Sequence, residues 1–153
     1  MSKRAPAIRP ARAQDAQAIS ACVAAAYQLY IPRMGKPPGP MRDDYAEVIR
    51  QHRVFVLEDG DQVVGVAVLM RKGQGILLDN VAVHPGYQGR GLGRQLIEFA
   101  ETEAQRQGFS HLDLYTHECM TENIEIYRKC GYIETERRAE QGYQRVYMRK
   151  RVS

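Results

Sequence analysis

The segment Gln88-Gly89-Arg90-Gly91-Leu92-Gly93 joins a hydrophobic run, Ile76 to Val83, to a helix-patterned run from Leu92 to Gln107, and its residue types suit phosphate binding. The first amides of a helix have no carbonyl partner within it, so their N–H groups and the positive end of the helix dipole face outward and attract an anion. Glycines at 89, 91 and 93 permit left-handed backbone angles and remove the Cβ atoms that would hold a pyrophosphate away from the chain. Arg90 and Arg94 add positive charge, and His84-Pro85 ends the preceding strand at a defined place, since proline has no ladder donor.

Three loop types fit this outline. A phosphate loop of the Walker type needs Lys and Ser/Thr straight after its second glycine; Gly86 and Gly91 have the right separation, but Leu92 and Gly93 stand where those residues must be. A dinucleotide loop starting at Gly89 and Gly91 requires a small residue at 94; Arg94 weakens that reading without removing it. The pattern [Gln/Arg]-x-x-Gly-x-[Gly/Ala] is met in full by Gln88, Gly91 and Gly93. Farther along, Asn123 and Tyr127 are four residues apart, so on a helix they address one ligand from one face. His117-Glu118 is not a zinc motif, because Thr121 stands where the second histidine of H-E-x-x-H belongs; the other histidines are dispersed, and no metal is expected.

The elements that must position these residues follow from periodicity. Residues around Ile8 read as a short strand, and Ile19, Val23, Ala26 and Tyr30 recur at helical spacing after Asp15. A Pro/Gly-rich loop spans Pro32 to Pro40, and Met41 to His52 carries a weaker helical pattern. Val54 to Leu57 and Val63 to Met70 are strands about an Asp59-Gly60 turn, and Ile76 to Val83 is the third strand of an antiparallel series. The helix from Leu92 ends at Gly108, a strand covers His111 to His117, and a helix covers Thr121 to Lys129 with Gly131 as its cap. Two terminal strands lie around Tyr132 to Glu136 and Tyr143 to Met148. The order predicts an α/β domain, residues 1–153, with a mixed and mostly antiparallel central sheet of six to seven strands, one parallel crossover, and about four flanking helices.

Composition narrows the class. The 153 residues, 44% hydrophobic, suffice for one core, and no apolar run approaches the roughly twenty residues of a membrane span. Without a signal segment the expected location is cytoplasmic, and three dispersed cysteines, Cys22, Cys119 and Cys130, agree with a reducing compartment. A net charge of +4 is compatible with anionic ligands, yet the basic residues are interspersed with acids, and Arg149-Lys150-Arg151 reads as a solvated tail, so no nucleic-acid partner is expected. A homodimer is compatible with the sequence.

The element order, the Gln88 to Gly93 loop and the segment Asn123 to Tyr132, with its helical tyrosine four residues before Gly131-Tyr132, together resemble the GNAT superfamily of N-acetyltransferases. The resemblance covers nearly the whole chain and is strongest from Leu78 to Tyr132. It implies the GNAT fold and acetyl-CoA as cosubstrate, with the pyrophosphate held by Gln88, Gly89, Arg90, Gly91, Leu92, Gly93 and Arg94 and the pantetheine arm along Val81, Ala82 and Val83. It implies Tyr127 as hydrogen-bond donor or general acid toward the CoA sulfur; a phenol of reference pKa about 10 beside a thiol of about 8.5 makes that proton exchange nearly balanced. Many family members carry Asn seven residues before this tyrosine and a small residue four before it, where this chain has Met120 and Asn123, so Asn123 is assigned to the cofactor from a different turn. For the general base, Asp79, His117 and Glu118 lie near the ends of the two strands that splay around the thioester, with His117 ranked above Glu118 because imidazole titrates near neutrality. Cys119 raises a minor covalent alternative. The expected activity is acetyl transfer to a primary amine by direct attack in a ternary complex, with a non-catalytic acyl-CoA sensor as the alternative. The acceptor is unidentified; by resemblance it meets Tyr27, Tyr30, the segment Arg33 to Tyr45 and the tail near Gln141 to Arg145.

Overall fold

Strand-forming residues gather into seven segments of the computed structural model, which describes residues 5–153. In chain order they are β1 (Ala7–Pro10), β2 (Arg53–Asp59), β3 (Gln62–Lys72), β4 (Gly75–Val83), β5 (His111–His117), β6 (Ile133–Glu140) and β7 (Tyr143–Arg151). They form one sheet in the order β1-β2-β3-β4-β5-β7-β6, in which only β4 and β5 pair in parallel. Helices α1 (Ala16–Tyr27), a one-turn α2 (Ile31–Met34), α3 (Tyr45–Gln51), α4 (Leu92–Arg106) and α5 (Thr121–Lys129) complete the fold. The mixed, mostly antiparallel sheet and the four longer helices are those that the sequence predicts.

Alternation along the strands divides the core in two. Phe55, Leu57, Ala67, Leu69, Leu78 and Leu114 face α4 and α5, where they meet Leu96, Ile97, Ala100 and Tyr127. Val54, Val56, Val66, Val68 and Ala82 face α1 and α3, where they meet Ile19, Val23, Tyr27 and Tyr45. Period-two side-chain placement makes this division possible, with α4 burying one apolar stripe while its polar face stays in water.

The division breaks at one residue. In the β3–β4 ladder Val68 faces Asn80 and Leu69 faces Leu78, so Asp79 is an extra residue on β4. Such a bulge shifts side-chain parity by one. Before it Ile76 and Leu78 point to the α4 side; beyond it Val81 and Val83 do, and Ala82 points to the α1 side. On the other edge of β4, pairing with β5 is confined to Leu77–Asp113 and Leu78–Leu114, after which the two strands diverge.

Three local expectations change. Met41 to His52 is not one helix: a 3-10 turn occupies Gly39–Arg42, Asp43 is extended, and Asp44 accepts hydrogen bonds from the amides of Ala46 and Glu47 as the cap of α3. The Asp side chain stops the earlier turn because its carboxylate satisfies the first free amides of a new helix. Strand β6 runs four residues past Glu136 as a charged, exposed edge strand, a composition that reads as loop but protects an edge from further pairing. Its hairpin turn has Gln141 and Gly142 both at positive φ, the pattern of a two-residue type I′ connection. Arg149-Lys150-Arg151 is the end of β7 and no solvated tail, since Arg149 pairs with Asp113 at 2.6 Å and Lys150 with Glu101 at 3.0 Å.

Asp15, at the entrance of α1, makes no side-chain cap hydrogen bond to that helix. Its carboxylate receives both terminal nitrogens of Arg9 at 2.8 and 3.0 Å and the amide of Arg12 at 2.7 Å, while Arg9 also binds Glu58, which ties β1 and β2 to the entrance of α1. These donors hold its carboxyl at about 2, below the ordinary 3.8, with the Arg9 hydrogen bonds the largest cause. A lowered folded-state pKa adds stability that is complete above the ordinary value and is lost as pH falls toward the folded value. Asp15→Asn is therefore expected to lower stability by about 1–2 kcal/mol at pH 7. That difference should shrink as pH falls from about 4 to 2 in denaturant titrations of both proteins; a pH-independent difference would assign the loss to packing.

Candidate active site

Gly91 caps α4 in the left-handed conformation at φ 76°, and Gly89 is left-handed as well at φ 81°. The backbone N–H groups from Gly89 to Arg94 find no acceptor among the described residues; the first amide of α4 to find one is that of Gln95, bonded to Gly91. Six consecutive unpartnered donors at the start of a fifteen-residue helix form a cradle for an anion, with the helix dipole behind it. A Cβ on Gly89 or Gly91 would meet no protein atom within 4 Å, whereas one on Gly93 would touch Val83, so Gly93 stands closest to the sheet. Gln88 reaches back through its side-chain amide to the Val83 carbonyl at 3.2 Å, which fixes the loop to the end of β4.

The predicted loop residues divide by what they present. Gln88, Gly89, Gly91, Leu92, Gly93 and Arg94 line a cleft of about 530 Å³ that runs past Val81, Ala82 and Val83 to Asn123 and Tyr127. Arg90 does not line it: its guanidinium stacks over Tyr87 at 5.0 Å. Leu92 buries its side chain in the core, so what it offers the cleft is its amide. Beyond Leu78, β4 has no strand partner on its β5 side, which leaves an edge able to pair with an extended amide-bearing chain.

Asn123 and Tyr127 sit on one face of α5, as their spacing requires, and both line this cleft and a smaller chamber behind it. Tyr127 is buried, and burial pushes its phenol well above the ordinary 10, so it remains a neutral O–H donor. No described residue accepts or donates a hydrogen bond at its hydroxyl. Asn123 contacts the Met120 sulfur at 3.6 Å. The chamber is walled by Leu78, Asp79, Asn80 and Val81 of β4, by Tyr115, Thr116 and His117 of β5, and by the Pro38 to Pro40 segment above. It shares Asp79, Tyr115, Tyr143 and Arg145 with a second, outward cleft of about 580 Å³. Two mouths thus meet between the diverging strands.

Of the acidic and basic candidates, Asp79 is the carboxylate that the fold brings to this junction. Tyr115 donates to it at 2.8 Å, and burial raises its carboxyl above the ordinary range. Asp43 on the mouth is raised to about 6, first by desolvation and then by the Asp79 charge, with Arg145 opposing. His117 lines the chamber, but its Nδ1 accepts the Cys119 amide at 3.0 Å. Its Nε2 faces the Gln144 amide at 3.4 Å, so both ring nitrogens meet backbone N–H groups, and burial holds the imidazole below its ordinary value. Glu118 is exposed and lines neither cleft nor chamber. The Cys119 thiol is directed at the Arg33 carbonyl, 3.6 Å away, and not at His117.

The segments expected to meet an acceptor are also sorted. Tyr30 and Tyr45 are buried in the α1-side core, and Arg33 is bound by Glu122 at 2.7 Å, so none of the three faces the outward cleft. Asn80 escaped the sequence reading and proves central: its amide donates to the Tyr45 hydroxyl at 3.0 Å and its oxygen accepts from Tyr27 at 2.8 Å. Tyr45 in turn donates to the Pro40 carbonyl at 2.7 Å. This buried chain joins α1, α3 and the chamber's roof to β4 just beyond the bulge. The signal was a pair of polar residues, Asp79-Asn80, inside an otherwise apolar strand.

Known proteins match this arrangement. The family model described as Acetyltransferase (GNAT) domain matches residues 50–134, more than half of the chain. An uncharacterized N-acetyltransferase of Bacillus subtilis strain 168, YvbK, is 28% identical over 94 residues, which are 61% of this chain and 61% of that protein. The PaiA N-acetyltransferase of Thermoplasma acidophilum, solved in complex with coenzyme A, aligns with a TM-score of 0.79 at 16% identity over 97% of this chain and 99% of that one. A GNAT family acetyltransferase of Elizabethkingia anophelis with acetyl-CoA bound aligns with a TM-score of 0.72 at 17% identity, over 97% and 99% of the two chains. At these identities the structures speak to the fold, which is the GNAT fold, and the family match completes the assignment: this chain belongs to the GNAT acetyltransferase family.

Proposed function

We propose that the protein transfers an acetyl group from acetyl-CoA to a primary amine by direct attack within a ternary complex. The observation that carries this reading is the continuous path from the six free amides of Gly89 to Arg94, along the unpaired edge of β4, to the hydroxyl of Tyr127. A pyrophosphate fits the amides, an extended pantetheine fits the strand edge, and the thioester then reaches the chamber where the two clefts meet. A backbone N–H of the Val81 to Val83 segment polarises the acetyl carbonyl, since a rigid amide stabilises an oxyanion without reorganising.

On this reading Tyr127 donates its proton as the C–S bond breaks. Its raised pKa suits that role, because a donor kept neutral is ready for a developing thiolate. Asp79, directly or through water, removes the proton that the amine sheds, and Asn123 fixes the cofactor beside Tyr127. His117 is better suited to shaping the chamber than to proton transfer, for its ring nitrogens face the backbone amides of Cys119 and Gln144.

Thiol release from acetyl-CoA, measured across a panel of amines, tests the reading. Tyr127→Phe is expected to lower kcat by about 100-fold while leaving CoA affinity within about threefold, in line with loss of one acid–base group. CoA binding without turnover on any acceptor would favour a sensor, and failure to bind CoA would sink both readings. Gly91→Glu places bulk and negative charge at the cradle and is expected to weaken CoA binding at least tenfold in calorimetry, with the thermal transition only slightly lowered by backbone strain. For pH, kcat/KM should rise as the base loses its proton, with a midpoint above the ordinary carboxyl range because Asp79 is raised. Asp79→Asn should remove that limb of the profile.

A further inference from the structure

The outward cleft has a charge arrangement that narrows the acceptor, given the transferase reading above. Asp79 stands on its inner side, shared with the chamber, with the Tyr115 and Tyr143 rings and Arg145 beside it, while Asp43 stands on its exposed mouth. Arg42 and Lys72 are exposed on its outer lining. Arg145 is engaged, since it stacks over Tyr115 at 4.3 Å and pairs with Glu140 at 3.5 Å. Arg42 and Lys72 form no salt bridge among the described residues, and Lys72 lies over the Tyr147 ring, whereas Arg71 is turned to the other face of the sheet over Phe109. One acid inside and two unpaired cations outside polarise one cavity of small-molecule size.

We propose that the acceptor is a small zwitterionic amine, an amino acid whose ammonium group enters past Asp43 toward Asp79 and whose carboxylate stays at the rim with Arg42 and Lys72. Asp79 draws in the cation and takes the proton that must leave before nitrogen attacks. The rim repels a second ammonium group, which selects against diamines by the same charges that hold a carboxylate. The strand sets the length scale. Lys72 faces Gly75 in the β3–β4 ladder, four residues from Asp79, which is roughly 13 Å of strand. Two inward-leaning side chains bridge part of that span, so several bonds separate amine from carboxylate.

The test measures thiol release at saturating acetyl-CoA with ω-amino acids from glycine to 6-aminohexanoate. Each is set against its primary amide, the matched n-alkylamine, the matched diamine and a lysine-containing peptide. The best amino acid is expected to exceed its amide at least tenfold in kcat/KM. The double variant R42A/K72A is expected to raise KM for that amino acid about tenfold and leave the alkylamine unchanged. Calorimetry in the presence of CoA should show the amino acid binding at least fivefold more tightly than its amide, a readout independent of turnover. Preference for the diamine, the peptide or the amide would overturn this assignment while leaving acetyl transfer standing. No thiol release with any amine would instead defeat the transferase reading, and the zwitterion assignment with it.

Discussion

The one extra residue in β4 governs the centre of this protein. With Asp79 unpaired, β4 resets its side-chain parity halfway along, and its parallel ladder with β5 ends after two residue pairs. A sheet closed by continuous pairing would have no opening at its middle. Here the strands separate where side chains of both helical layers converge, and the unpaired backbone is left at the bottom of a cleft. Unsatisfied amides are costly when buried, so a fold keeps them only where solvent or a ligand reaches.

The bulge must be held, because a slip by one residue would send Val81 and Val83 to the wrong layer. Asn80 does this from the adjacent position. Its side chain is buried and takes part in hydrogen bonds to Tyr27 and Tyr45, two residues from different helices. A buried amide left without partners would cost about 1–3 kcal/mol, so the native register is favoured over one that turns Asn80 into the α4-side core. The same network reaches Pro40, and so the roof of the chamber is set by the residue that sets the strand.

How much of this is legible in sequence depends on range. The glycine loop, the hairpin at Asp59-Gly60 and the α5 face carrying Asn123 and Tyr127 are local, and periodicity with turn chemistry finds them. The bulge is not local: LLDNVAV reads as a strand with two polar interruptions, and nothing in the chain says that Asp79 drops out of register with β3. Adjacency in sequence likewise places His117 and Glu118 together at the end of β5. The fold turns one inward to a backbone amide and leaves the other in water. Tyr30, Arg33 and Tyr45 were chemically suitable for an acceptor, but packing and the Glu122 pair had prior claim on them. The basic run Arg149 to Arg151 looked like a tail because its acidic partners, Asp113 and Glu101, are 36 and 49 residues away.

The two ends of the site solve opposite electrostatic problems with different materials. At the loop an anion is met by neutral amides and a dipole, with charged arginines only at the margin: Arg90 stacked on Tyr87 and Arg94 shared with Glu98. Such a cradle holds phosphate through geometry. At the other mouth formal charges do the sorting, with Asp79 innermost beside Arg145. On the proposed reading this polarity also favours direct transfer. The amine enters from the side opposite the cofactor, and the Cys119 thiol is turned toward a carbonyl of the α2 segment. With that thiol directed away from the junction, the proposed reading has the thioester and the amine bound together when the acetyl group moves.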